Sequence, residues 1–112
     1  MTRYLISFDA NAMDHIPDED MRAVARAAHE VAEEAMNASV WVFGGGLANQ
    51  QASIVDTDGT VTDGPYPEAV GGFWVVDAPS REEALKWAAK TAAACRCAQE
   101  VHEFMPDPAV GN

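Results

Sequence analysis

Asp63-Gly64-Pro65-Tyr66-Pro67-Glu68-Ala69-Val70-Gly71-Gly72 runs directly into Phe73-Trp74-Val75-Val76, the most apolar stretch of the chain. Proline fixes φ at about −65° and keeps the residue before it out of the helical region, so Gly64-Pro65 turns the chain and then extends it. Pro65 and Pro67 bracket Tyr66 and predict a stiff connector rather than a ladder strand. Gly71-Gly72 permits a bulge or a close backbone approach as the next strand begins. That strand puts Phe73 and Val75 on one face and Trp74 and Val76 on the other. Apolar faces on both sides need cover on both, by helices on one and by a second sheet on the other. This predicts that two copies of the chain pair.

Immediately before the connector, Gln51 to Asp56 and Thr60-Val61-Thr62 flank Thr57-Asp58-Gly59, and Asp-Gly is a strong hairpin signal. After the central strand, Ser80-Arg81-Glu82-Glu83 reads as a capping box. The helix it opens carries Ala84, Leu85, Ala88, Ala92 and Cys95 inward and ends near Ala94; Gln99 to Met105 reads as the last strand. Toward the N-terminus, Arg3 to Phe8 alternates as a strand within a sheet, and Asp9 to Pro17 is rich in turn formers. A helix follows from Asp18, with an acidic first turn and an apolar stripe through Met21, Val24, Ala25, Ala28, Val31, Ala32, Ala35 and Met36. Val40-Trp41-Val42-Phe43 is a short apolar strand closed by Gly44-Gly45-Gly46. The order is strand, helix, strand, hairpin, strand, helix, strand. It predicts an α+β, ferredoxin-like βαββαβ domain over residues 1–106 with an inserted hairpin, two copies forming a dimeric α/β barrel, and a flexible tail over 107–112.

The 112 residues suffice for one core. A net charge of −11 arises from 18 acidic and 7 basic residues. The basic residues are scattered, so direct nucleic-acid binding, which rests on neutralised phosphates, is not expected. The N-terminal Met1 to Asp9 meets an acid too early for a secretory segment, and no apolar run approaches the ~20 residues that span a bilayer. A cytoplasmic protein is expected. Cys95 and Cys97 are too close to staple a fold, and their single intervening residue does not suit a zinc site, so no metal and no cofactor is expected. The triple glycine lacks the lysine and the helix start of a phosphate loop. Its expected use is to bend the strand or to admit a ligand or a partner subunit to the backbone.

Of the three histidines, His15 falls in a loop and His102 in the last strand beside Glu100. His29 borders the apolar stripe of the first helix, in a row with Arg22, Arg26 and Glu33, where it would point into a cleft between helix and sheet. Paired with an acid, such an imidazole is a general base, the acid fixing its tautomer.

Asp63-Gly64-Pro65-Tyr66, Glu68 and Gly71-Gly72-Phe73, followed by an apolar strand and a Ser-x-x-Glu-Ala-Leu-x-Trp-Ala helix, resemble the YCII-related family in its DGPF-domain subgroup, with Tyr66 where Phe is usual. The likeness spans nearly all of residues 3–106. It implies a dimeric α+β barrel and a His/Asp pair in a cleft, and some relatives accompany sigma factors. On this pattern His29 and Asp63 are the candidate catalytic pair, and Tyr66, Glu68 and Phe73 the candidate ligand contacts. Two readings stand: a domain binding a small polar molecule near Asp63, whether or not as an isomerase or lyase type enzyme, or a non-enzymatic dimeric interaction module associated with a sigma-factor system.

Overall fold

A computed structural model of the chain describes residues 1–48, 52–65 and 69–112. Phe73 to Val76 lie in the middle of the longest strand, which is paired on both sides. In chain order the elements are β1 (Thr2–Asp9), α1 (Met21–Asn37), β2 (Trp41–Gly46), β3 (Ser53–Val55), β4 (Val61–Asp63), β5 (Val70–Ala78), α2 (Arg81–Cys95) and β6 (Glu100–Glu103). Four strands form one antiparallel sheet in the order β2-β5-β1-β6, while β3 and β4 pair separately as the inserted hairpin. This is the ferredoxin-like plan, an antiparallel sheet with two helices on one face.

The double glycine acts as expected. Phe8 pairs with Gly72 and Asp9 with Val70, so Gly71 is the extra residue of a bulge. A Cβ on Gly72 would lie 2.7 Å from the Phe8 ring, and one on Gly71 would lie 2.9 Å from Ala10 Cα. Only a hydrogen fits at either position. In the hairpin, Gly59 takes φ of 87°, and Asp58 accepts from the Thr60 amide at 2.8 Å. Its bonds to Thr60, side chain first and then backbone, hold the Asp58 carboxyl below its usual range.

Tyr4, Ile6, Trp74, Val76 and Ala78 face the helices and pack with Ala35, Val40, Ala84 and Ala88. Ile6 and Val76 are wholly buried, at 0% exposure. Trp74 lies tilted against Trp41 at 5.5 Å between centroids and edge-on to Trp87 at 6.3 Å. Lys90 and Arg96 tie α2 to α1 and to the turn before it, through Glu34 at 2.8 Å and Asp20 at 2.9 Å. These are surface pairs, worth about 0–1 kcal/mol each.

Several expectations need correction. Leu85 points outward at 44% exposure, because the inward row of α2 is Ala84, Ala88, Thr91 and Cys95 and the next residue lies about 100° round the helix. The triple glycine continues β2 instead of ending it, each glycine keeping a partner on β5. Asp63 is the last residue of β4, opposite Ser53, and so belongs to the hairpin instead of the connector. Asp18–Asp20 form a separate 3-10 turn before α1. The last strand is shorter than expected, and Gln99 precedes it. The capping box is half made: Ser80 Oγ accepts from the Glu83 amide at 3.2 Å, but the Glu83 carboxylate takes Lys86 Nζ at 3.1 Å.

The sheet's other face carries Leu5 and Ser7 from β1, Phe73 and Val75 from β5, and Phe43 from β2. Pairing sets Leu5 and Phe43 opposite Val75, and Ser7 opposite Phe73. Neither helix covers this face, and Phe43 is 64% exposed with its ring 6.3 Å from that of Phe73. Beside it Arg3 donates to both Asp77 oxygens, at 2.9 and 3.0 Å, and reaches the Gly111 carbonyl at 3.4 Å. Residues 107–112 close into a turn through reciprocal Asp107 and Asn112 backbone bonds of 2.9 Å.

Candidate functional site

A cleft of about 490 Å³ opens between α1, the edge strand β2 and the end of α2. Its origin is missing side-chain volume on two opposed walls. Gly44, Gly45 and Gly46 form a stretch of bare backbone on β2, and a Cβ added to Gly45 or Gly46 would meet nothing within 4 Å. Across from them α1 presents Ala25, Ala28 and Ala32, where a tightly packed helix would carry larger residues. Aromatic walls come from Phe8, Trp41 and Trp74, while Phe73 borders the cleft with its ring turned to Phe43 on the helix-free face; Met13, Met21 and Met36 complete much of the remainder. Methionine adapts to ligands of irregular shape. The apolar stripe of α1 thus serves less as core than expected: only Val24 and Ala35 are buried along that helix.

Polar chemistry in the cleft is sparse. No Asp, Glu, Lys or Arg among the described residues lines it; the polar groups are the side chains of His29, Thr91, Cys95 and Gln99 and the indole N–H groups of Trp41 and Trp74. Thr91 Oγ1 is occupied, donating to the Trp87 carbonyl at 3.1 Å. Burial, and next the neighbouring Cys97, push the Cys95 thiol up from its usual range. Burial likewise raises Cys97, against a lowering contact from Gln99. Neither thiol is therefore poised as a thiolate nucleophile. Among the described residues no three His, Cys, Asp or Glu side chains gather as a metal site.

The structure brings together two of the five residues proposed from sequence. His29 and Phe73 both line the cleft. Asp63 is exposed at the end of β4 and is not a lining residue, and no hydrogen bond joins it to His29. Tyr66 and Glu68 lie outside the described residues. Among the other histidines, His15 is exposed in its loop, and His102 pairs with Glu100 at 2.8 Å on the helix-free face of β6. Sequence reasoning missed Trp41, Trp74, Thr91 and Gln99 as cleft residues. A usable signal existed, for a helix stripe of alanines facing a strand of glycines leaves space that nothing else in the chain fills.

The YCII-related domain model matches residues 7–105, and the chain belongs to that family. Among solved structures the fold is similar to 5-chloro-2-hydroxyhydroquinone dehydrochlorinase of Burkholderia phenoliruptrix AC1100, determined with 2,5-dihydroxybenzoquinone. The TM-score is 0.54 at 14% identity, covering 96% of this chain and 97% of that one. At that identity the likeness is one of fold. No functionally curated protein matches the chain. No helix among the described residues is long and apolar enough to cross a membrane.

Proposed function

We propose that this YCII-related domain, of the DGPF subgroup by its Asp63-Gly64-Pro65 signature, is a cytoplasmic homodimer. It binds a small molecule in the cleft, with His29 as the group that takes up and releases a proton. The cleft itself carries this reading. Its volume falls in the range of small-molecule sites, its walls are apolar and aromatic, and its polar groups are few. Imidazole suits proton transfer near neutral pH, so isomerase or lyase chemistry needs little beyond His29 and an acid to orient it. Asp63 is proposed as that acid, with Tyr66, Glu68 and Phe73 as ligand contacts, on the family pattern. The protein of similar fold is a dehydrochlorinase, which is compatible with the lyase reading.

The test is a thermal-shift screen of small metabolites on wild type and Gly46→Leu. A Cβ at Gly46 meets nothing within 4 Å, so the strand is expected to tolerate the variant, and the larger side chain on the cleft wall to block the site. A ligand at a hundredfold excess over its Kd stabilises wild type by about 2.7 kcal/mol and leaves the variant unshifted. Where turnover is found, His29→Gln and Asp63→Asn each lower it by about 10² to 10⁴. Compounds that shift both proteins equally, or none that shift either, exclude the cleft.

A second reading has its own observation. Phe43, 64% exposed beside Phe73, marks an apolar helix-free face that a second copy can cover, as a non-enzymatic dimeric module of a sigma-factor system requires. A screen without ligands, joined to a stable dimer, favours it.

A further inference from the structure

Beneath α1 the sheet stops short. β2 is an edge strand paired only with β5, and its outer backbone groups have no strand partner among the described residues. The opposite edge, β6, carries Glu100, His102 and Glu103, charges of the kind that deter further pairing. β2 reads Trp41-Val42-Phe43-Gly44-Gly45-Gly46 and has no charge at all, which makes it a template for another strand. Over this edge α1 turns Met21, Ala25, Ala28, Ala32 and Met36 to the cleft, and Met21, Ala25 and Met36 are exposed. Among the described residues no element closes the cleft beyond β2.

The β3-β4 hairpin has the matching need. Among the described residues no hydrogen bond or ion pair ties 52–65 to the rest of the chain, and all of these residues except Ile54 and Gly64 are exposed. A two-stranded hairpin by itself is marginally stable and gains from a third strand or a packed face. Alternation sets the cross-strand partners Val55 and Val61 on one face, together with Ser53 and Asp63. The two valines are 65% and 62% exposed. A radius of gyration of 15.4 Å, against roughly 13 Å for a compact domain of about this length, agrees with an arm held away from the body.

Resting on the homodimer proposed above, we infer that the hairpin is an exchanged arm: each copy's β3-β4 adds to the β2 edge of the other, with Val55 and Val61 beneath that copy's α1. The apolar surfaces match, valines below and the alanine and methionine stripe above. The charges match as well. The arm bears Asp56, Asp58 and Asp63 and no basic residue, while Arg22 and Arg26, in a row with His29 and Glu33 beside the stripe, enter no ion pair among the described residues. Its reach suffices, since a strand over 52–57 at ~3.3 Å per residue extends roughly 20 Å and face-packed sheets lie about 10 Å apart. The exchange is reciprocal and closes with two-fold symmetry. Each cleft then takes a wall from the other copy, and the hairpin face turned to α1 is the one that bears Asp63.

Isotope-filtered NMR on dimers mixed from methyl-labelled and unlabelled protein tests this. The expected result is contact between Val55 or Val61 methyls of one copy and Ala25, Ala28 or Met36 methyls of the other. The same contacts arising only within a copy mean that the hairpin folds back on its own β2, and overturn the exchange. A dimer that lacks these contacts altogether overturns it too, and leaves the homodimer standing. A monomer at every concentration in sedimentation overturns both. Val61→Lys gives a second measurement, because the exposed position should leave the melting of the isolated chain unchanged. Burying the ammonium at the seam weakens the dimer by about tenfold or more, and an unaltered dissociation constant overturns the inference.

Discussion

The two faces of the central sheet are made from alternate residues of the same strands, and they have opposite fates. On the helix side Tyr4, Ile6, Trp74 and Val76 are buried, and what remains unfilled is a cleft. On the other side Leu5, Phe43, Phe73 and Val75 are as apolar and no helix covers them, although Val75 and Ser7 at the centre of that face are only 9% and 5% exposed. One face is finished by its own chain and hollow at one edge. The other is continuous and unfinished. The difference matches the two occupants proposed: the hollow suits a small ligand, and the apolar face suits a second copy with the same face, as isologous pairing requires.

Neighbouring residues Leu5 and Ile6 sharpen the contrast most. Ile6 is wholly buried under the helices, so Ile6→Ala removes packed volume and leaves a cavity, costing about 2–5 kcal/mol in a denaturant titration. Leu5→Ala, on the helix-free face, should act mainly through the proposed dimer, so its cost grows as protein concentration rises through that dimer's dissociation constant. Comparable losses from the two variants at high dilution, where only monomer remains, would show that the faces are equally core and would break the distinction.

The next largest effect concerns the unfinished face alone. Phe43→Glu places a carboxylate where an aromatic anchor is proposed. Anchors of that kind contribute about 2 kcal/mol or more, which corresponds to at least a roughly 30-fold weaker dimer in sedimentation velocity. The fold of the single chain should be untouched, since Phe43 is largely exposed and on an edge strand. A wild-type protein that sediments as a monomer at every accessible concentration refutes the proposed assembly.

Alternation over Arg3 to Phe8 and the run Phe73 to Val76 made the architecture legible, because a period of two fixes which side chains share a face whatever lies above them. The Gly71 bulge was legible because a double glycine at a strand's start permits a bulge or a close backbone approach, and at Gly71 it is the Ala10 backbone that approaches. The cleft was harder to read. Its walls are defined by what Gly44 to Gly46, Ala25, Ala28 and Ala32 lack, and absent volume has no periodic signal until helix and strand are set opposite each other. Leu85 was misplaced because apolarity in an alanine-rich helix does not by itself fix the inward row. His29, on α1, lines the cleft, whereas Asp63 ends β4 in the hairpin and does not line it.

The smallest expected effect lies at the end of the sheet where the two faces meet the chain's last residues. Hydrogen bonding from the Arg3 guanidinium, aided by its charge and opposed by partial burial, holds the Asp77 carboxyl below its usual range. A carboxyl depressed in the folded state stabilises the fold at pH above its unfolded value, about 3.9, and this contribution fades as pH falls through the lower folded value. Asp77→Asn removes it. Wild type should therefore melt a few degrees above the variant at neutral pH, with the gap constant down to about pH 4 and closing below it. The gap stays small because Arg3 and Asp77 remain about 30% exposed, where water screens the pair. Thermal melts from neutral pH to strong acid read it directly. A gap that widens as the solution is acidified would mean that Asp77 is not the depressed group, and that the rim of the unfinished face is held by the backbone pairing of Asp107 and Asn112 rather than by this ion pair.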